Sequence, residues 1–250
     1  MDHFPLAAPP FQGSCRKVPA GNALDWIKQA WFIFQVKPAA WIAITILFWL
    51  ILLGLSALPW LGSLLAQVLT PVLIAGCVFA SHQAVHEQKV SVSALFHGFY
   101  PHTTLHSLIL LGLLYLGSFL VLYLLFLLFS ALLGGGMLAS ILLSSPFGAY
   151  LTLAVGLVLI LCAVTLSIMM SMALWFAPAL IVFNQMSALP ALIASLNANL
   201  KNMPAFCLYG LLLLLLAIIA IVPLGLGLLI FFPLVFGSLY AAYKDIFVAI

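Results

Sequence analysis

Charge is the scarcest property of this chain. Its 250 residues include seven Lys or Arg and four Asp or Glu, 4% of the total, where a soluble domain has about a quarter. So uncharged a sequence gives no reason to expect a nucleic-acid partner, and general acid–base catalysis has few candidates. Motifs are equally sparse: the chain lacks a Gly-rich phosphate loop, GxSxG, HExxH and any paired-carboxylate constellation. An enzyme is therefore not expected. Cysteine is rare too. Cys15, Cys77, Cys162 and Cys207 form no CxxC pair, and three lie in apolar stretches, where cysteine behaves as a small hydrophobe, so no disulfide framework is expected. The first twenty residues lack the apolar core of a cleavable signal peptide and hold four prolines plus Arg16-Lys17. Residues 1–20 read as a disordered cytoplasmic arm, leaving 21–250 as a single membrane domain.

What is abundant is apolar surface, 67% of the residues. Soluble packing cannot hide so much, so lipid must solvate much of it. Runs long enough to cross about 30 Å of hydrocarbon occur at about 39–58, 61–82, 104–131, 149–183, 205–222 and 226–243. With six spans, all seven basic residues (Arg16, Lys17, Lys28, Lys37, Lys89, Lys201 and Lys244) fall on one side, and the opposite connections carry no charge. The positive-inside rule then places both termini in the cytoplasm. The fold class expected is an all-α polytopic membrane bundle, six transmembrane helices arranged as three hairpins.

A threefold internal repeat underlies those hairpins. A short amphipathic helix and a proline precede each pair. Asn22 can cap a helix through Gln35, with Leu24, Ile27, Trp31 and Phe34 on its apolar face, ended by Pro38. Ser93 can cap 94–99, ended by Pro101. Ser187 can cap a third, with Leu189, Leu192, Leu196 and Leu200 on one face and Asn197, Lys201 and Asn202 polar, followed by Pro204. Such helices belong at the membrane interface, where Trp26, Trp31 and Trp41 fit an aromatic belt. The second span of each pair holds an interior proline: Pro71, Pro178 and Pro233.

The landmarks Trp31-Phe32, Pro38 to Trp41, Leu95-Phe96-His97-Gly98-Phe99 and Trp175-Phe176-Ala177-Pro178-Ala179-Leu180, followed by Ala194-Ser195-Leu196 and Lys201-Asn202, run across most of the chain. In these it resembles a group of uncharacterised proteobacterial inner-membrane proteins, distantly similar to the membrane domain of some glycerophosphoryl diester phosphodiesterases. That resemblance implies six membrane helices and a bacterial inner membrane, and no established reaction. No phosphodiesterase catalytic domain is expected within these residues.

Five of six histidines crowd into residues 82–106. His82/His86 and His102/His106 each have i, i+4 spacing, which places two imidazoles on one helix face. If the two helix ends adjoin, the four could hold a transition metal or supply axial ligands to a haem; the plainer alternative is a solvated polar rim. Charged residues are missing from the span cores, so a proton relay there is not expected. Gln67, Thr70, Ser118, Thr165, Ser167 and Ser171 are the main polar groups, expected to bond between helices. The 132–148 connection, with Gly134-Gly135-Gly136, is apolar. It is expected either to dip into lipid or to pack on a partner. The leading reading is a non-enzymatic accessory, scaffold or assembly factor of an envelope or respiratory complex, in contact with membrane lipid and a membrane-protein partner. A transporter or channel for a lipid-like or apolar solute is the second reading, and a histidine-ligated metal or haem protein the third.

Overall fold

The computed structural model describes residues 15–59, 61–100, 102–142 and 146–248, without the side chains of 102 and 103. Among these there is no strand. The order is α1 (Asn22–Val36), α2 (Pro38–Ser56), α3 (Gly62–His86), a 3-10 helix (Val92–Phe99), α4 (His102–Leu142), α5 (Phe147–Asn184), α6 (Ala188–Lys201), α7 (Met203–Ile221) and α8 (Leu228–Phe247). Six helices (α2, α3, α4, α5, α7 and α8) are long and apolar enough to cross a membrane. Helix is the form that such sequences must take, because lipid offers no partner to an open backbone N–H or C=O. The chain is an integral membrane protein of all-helical fold, three helix pairs with a short helix before each.

The short helices share one packing relation. The 3-10 helix and α6 each lie against the second helix of the preceding pair, within about two turns of that helix's interior proline. The 3-10 helix meets α3 so closely that a Cβ on Gly76 would overlap the Leu95 carbonyl, and one on Gly98 the Val72 carbonyl. α6 meets α5 through Ser195, whose hydroxyl donates to the Met172 carbonyl (2.7 Å) and accepts from the Phe176 N–H (3.0 Å). Those two backbone groups are the i and i+4 partners of an α-helical ladder, so Ser195 bridges a rung just ahead of Pro178. Asn199 adds a second donor to the Met172 carbonyl at 3.0 Å. α1, which follows no earlier pair, packs instead on α8, the last second helix, with Ala30 against Gly237. The repeat therefore closes on itself.

Two apolar faces are not those that counting large hydrophobes selects. In α1 the buried residues are Ala23, Trp26, Ala30, Ile33 and Phe34, while Leu24 and Trp31 are exposed. Small residues allow α1 to approach Gly237, and that contact fixes the rotation of the helix. In α6 the buried set is Ala188, Ala191, Leu192, Ser195, Ala198 and Asn199, whereas Leu189 and Leu200 are exposed. Ser195 and Asn199 turn inward to bond the α5 backbone, and Leu189 and Leu200 turn out while Leu192 stays buried. The predicted caps shift as well. Asn22 begins α1 after Gly21 and makes no cap bond, Ser91 rather than Ser93 precedes the 3-10 helix, and Ser187 precedes α6 in extended conformation without a side-chain cap bond. Pro101 lies outside the described residues.

The chain divides into two compact units, one of residues up to 113 and from 172 onward, the other of residues 114–171. Within the second, α4 and α5 pack antiparallel. A Cβ on Gly136 would overlap Thr152, one on Gly156 would overlap Phe129, and Thr152 donates to the Leu132 carbonyl at 3.4 Å. The 132–148 stretch is thus mainly helix rather than a loop. Gly134, Gly135 and Gly136 continue α4, which ends at Leu142, and α5 starts at Phe147. Glycine is costly in an isolated helix; Gly136 here lets the two backbones approach closely.

The intramembrane hydroxyls also differ from expectation. Thr70, Ser118, Thr165, Ser167 and Ser171 each donate to a carbonyl three or four residues earlier in their own helix. Their own turn is always within reach, so no partner helix is needed. Gln67 Oε1 is buried without a partner among the described residues.

The inward polar face of α6 yields a test that inverts the usual hydrophobic rule. Asn199→Leu should lower the thermal stability of detergent-solubilised protein, since a donor to the Met172 carbonyl is lost, at a cost of about 1–3 kcal/mol. Leu200→Asn, at a residue 48% exposed, should change stability far less. The reverse order would show that α6 does not pack in this rotation.

Candidate functional site

Polar chemistry concentrates at the last two turns of α8, where Tyr240, Tyr243 and Asp245 each reach a different element. Their spacing fans them around the helix end. The Asp245 carboxylate accepts from Asn22 Nδ2 (2.8 Å), from Trp26 Nε1 (2.9 Å) and from the Arg16 guanidinium. The Arg16 backbone N–H donates to the Ile246 carbonyl at 2.9 Å. Asn202, at the α6–α7 junction, accepts from the Val18 N–H (2.8 Å) and donates to the Arg16 carbonyl (3.0 Å). The last part of the predicted arm is therefore held down at both sides. Residues 1–14 lie outside the described set.

Tyr243 donates its hydroxyl to Asn184 Oδ1 at 2.6 Å, closing the end of α5 against α8. Tyr240 places its hydroxyl 2.9 Å from His82 Nδ1. Either atom can donate, depending on the imidazole tautomer. Beneath them Tyr209 and Ser238 share a buried hydrogen bond at 2.6 Å, and Trp26 packs edge-on against Tyr209.

The histidines are distributed unevenly around this end. His82 and His86 stand with ring centroids 4.3 Å apart, as i, i+4 spacing predicts. His82 is half-buried beside Phe183 and Tyr240, and His86 is exposed. His97 stacks on Phe79 with centroids 3.5 Å apart and rings 5° from parallel. His106 is exposed on α4, and the side chain of His102 lies outside the described part. Among the described residues, no three His, Cys, Asp or Glu side chains converge as a metal site requires. The second pair is thus not seen joining the first. The four cysteines are free thiols, as expected.

The residues that sequence reasoning missed are Tyr240, Tyr243 and Asp245. The signal was present: Asp245 and Lys244 are adjacent charges at the end of the last span. They read as an ordinary interfacial terminus because Asp245's partners, Arg16, Asn22 and Trp26, lie more than two hundred residues away in sequence.

Comparison with known proteins gives one relationship. The chain is 27% identical, over 202 residues, to a probable inner membrane protein of Burkholderia thailandensis, an alignment covering 78% of this chain and 73% of the relative. No protein-family profile matches, and no solved structure does. Nothing in these comparisons supports the distant similarity to a phosphodiesterase membrane domain.

His97 gives the site a pH dependence. Burial lowers the pKa of its imidazole from the ordinary histidine value, so folding favours the neutral ring. In the unfolded chain the same ring takes up a proton near its usual pKa of about 6.5. Its contribution to stability is full above that value and is lost as the pH falls through it. His97→Phe, which preserves a ring to stack on Phe79, should flatten the fall in melting temperature between about pH 7.5 and 5.5. Parallel curves for the two proteins would show that His97 protonates as readily folded as unfolded.

Proposed function

We propose that this chain is a non-enzymatic bacterial inner-membrane protein, with both termini cytoplasmic, that serves as an accessory, scaffold or assembly subunit of a larger membrane complex. The inner membrane follows the Burkholderia relative, and the orientation follows the one-sided distribution of Lys and Arg.

The observation that carries the subunit role is the α4–α5 hairpin. Of the apolar window in α5 only 6% is buried against the rest of the chain, compared with 61% in α8. That stretch of α5 keeps its contact with α4 and offers the rest of its surface to its surroundings, whereas its last turns, from Phe176 to Ile181, are largely buried. Gly134 and Gly135 add open, side-chain-free positions on α4, the kind of surface on which membrane helices approach one another closely. The polar groups at the end of α8, by contrast, are mostly bonded to their own chain. They hold the fold together and leave little for catalysis.

Two measurements test this. Protein purified from its native membrane in mild detergent should run in native mass spectrometry as a complex of fixed stoichiometry with another membrane protein. A photoreactive residue at Leu157 or Leu161, both exposed, should crosslink to that protein, whereas one at the buried Trp41 should not. A monomer carrying lipid alone, with lipid-only crosslinks, would overturn the accessory role. Separately, reporters fused at residues 10, 90, 195 and 248 should report the cytoplasm, and one inserted between Leu142 and Phe147 the opposite side. A cytoplasmic signal from that insertion would overturn the orientation.

A further inference from the structure

Where α1, α3 and α8 end together, a cleft of about 240 Å³ opens beside the Tyr240–His82 pair. Its walls divide by chemistry. One part is apolar, formed by Phe32, Val36 and Val85; the other carries Lys244 and the amides of Gln29 and Gln88. Lys244 is half-buried and has no hydrogen-bond or ion-pair partner among the described residues. The carboxylate beside it in sequence, Asp245, is occupied by Arg16, Asn22 and Trp26. Among the described residues, no acidic side chain lines the cleft. A half-buried ammonium with no counter-charge is costly and gains most from an anion.

We propose that this cleft binds the phosphate-bearing headgroup of an anionic membrane phospholipid. Lys244 meets the phosphate as a charge, and Gln29 and Gln88 supply amide donors. The first methylenes of an acyl chain lie along Phe32, Val36 and Val85. The volume fits a headgroup and the start of its chains rather than a whole lipid, so the tails pass out to the bilayer. α1 suits that exit: Leu24, Trp31 and Phe32 are exposed on it, an apolar surface of the kind that rests in the interface. Because α1, α3 and α8 end here, their backbone dipoles present negative ends. They oppose an anion, which leaves Lys244 as the lining group on which anion binding depends. The proposal goes beyond the accessory role and stands or falls separately from it.

The test uses full-length protein in zwitterionic nanodiscs, titrated with short-chain phosphatidylglycerol, short-chain phosphatidylcholine or inorganic phosphate. The wild type should bind phosphatidylglycerol saturably and in preference to phosphatidylcholine. Lys244→Gln should weaken that binding about tenfold, the loss of one hydrogen bond to a charged group. Lys244→Arg should retain it. Val85→Trp, which fills the apolar wall and leaves every charge in place, should also abolish it. Unchanged binding in both Lys244→Gln and Val85→Trp would overturn the proposal. So would inorganic phosphate competing as well as the lipid does, since the site would then be a free-anion site. Circular dichroism of each variant separates loss of the site from loss of the fold.

Discussion

A single carboxylate, Asp245, joins α8 to α1 and to the segment that leads into it. It accepts hydrogen bonds from Asn22 and Trp26 and pairs with Arg16, while the neighbouring Ile246 carbonyl accepts the Arg16 N–H. In the first two repeats a covalent loop leads from the second long helix into the short helix that packs on it, from α3 into the 3-10 helix and from α5 into α6. No such loop can lead from α8 back to α1. The Asp245 cluster takes its place with hydrogen bonds and one ion pair. Those bonds are stronger than surface pairs generally are, because the Asp245 side chain is only 17% exposed and the charge is shared among three donors.

The other two contacts use backbone rather than charge. At α3, glycines remove the side chains that would hold the 3-10 helix away. At α5, a serine and an asparagine reach into the ladder ahead of Pro178. Three chemistries thus serve one geometry. Their common feature is position: each contact falls within about two turns of the second helix's interior proline, at Val72 and Gly76 near Pro71, Met172 and Phe176 near Pro178, and Gly237 near Pro233.

Much of this architecture was legible in the sequence, and the parts that were not share a cause. Span number and hairpin grouping follow from long apolar runs, the proline placement and the one-sided basic residues, all of which are local signals. Helix rotation does not. In α1 and α6 the eye follows Leu24, Trp31, Leu189 and Leu200, yet those side chains are exposed and the packing runs through Ala23, Ala30, Ala191 and Asn199. Water drives large apolar residues inward in a soluble protein, but lipid solvates a leucine as well as a neighbour does, so small and polar residues mark the contacts. The glycine run at 134–136 misleads for a related reason: it reads as a loop by propensity, and Gly136 is a helix–helix contact in the structure. For the histidines, i, i+4 spacing placed His82 beside His86, and no local rule could say whether His106 would face them.

The closure of the repeat has a consequence for biogenesis. Of the described helices, α1 leaves the ribosome before all the others, and its partner α8 after them. Asn22 and Asp245 are 223 positions apart, which at about 5–20 residues per second is a delay on the order of ten to forty-five seconds. During that interval the Trp26 indole N–H lacks its acceptor. α1 can lie on the membrane surface through the same exposed residues that it keeps in the finished fold. The earlier hairpins meet a far shorter wait, because α6 follows its docking residues on α5 by only 19 to 27 positions. Among the described helices, the docking of α8 against α1 is therefore the late event, and a nascent chain halted before residue 245 would carry the earlier hairpins with α1 still undocked.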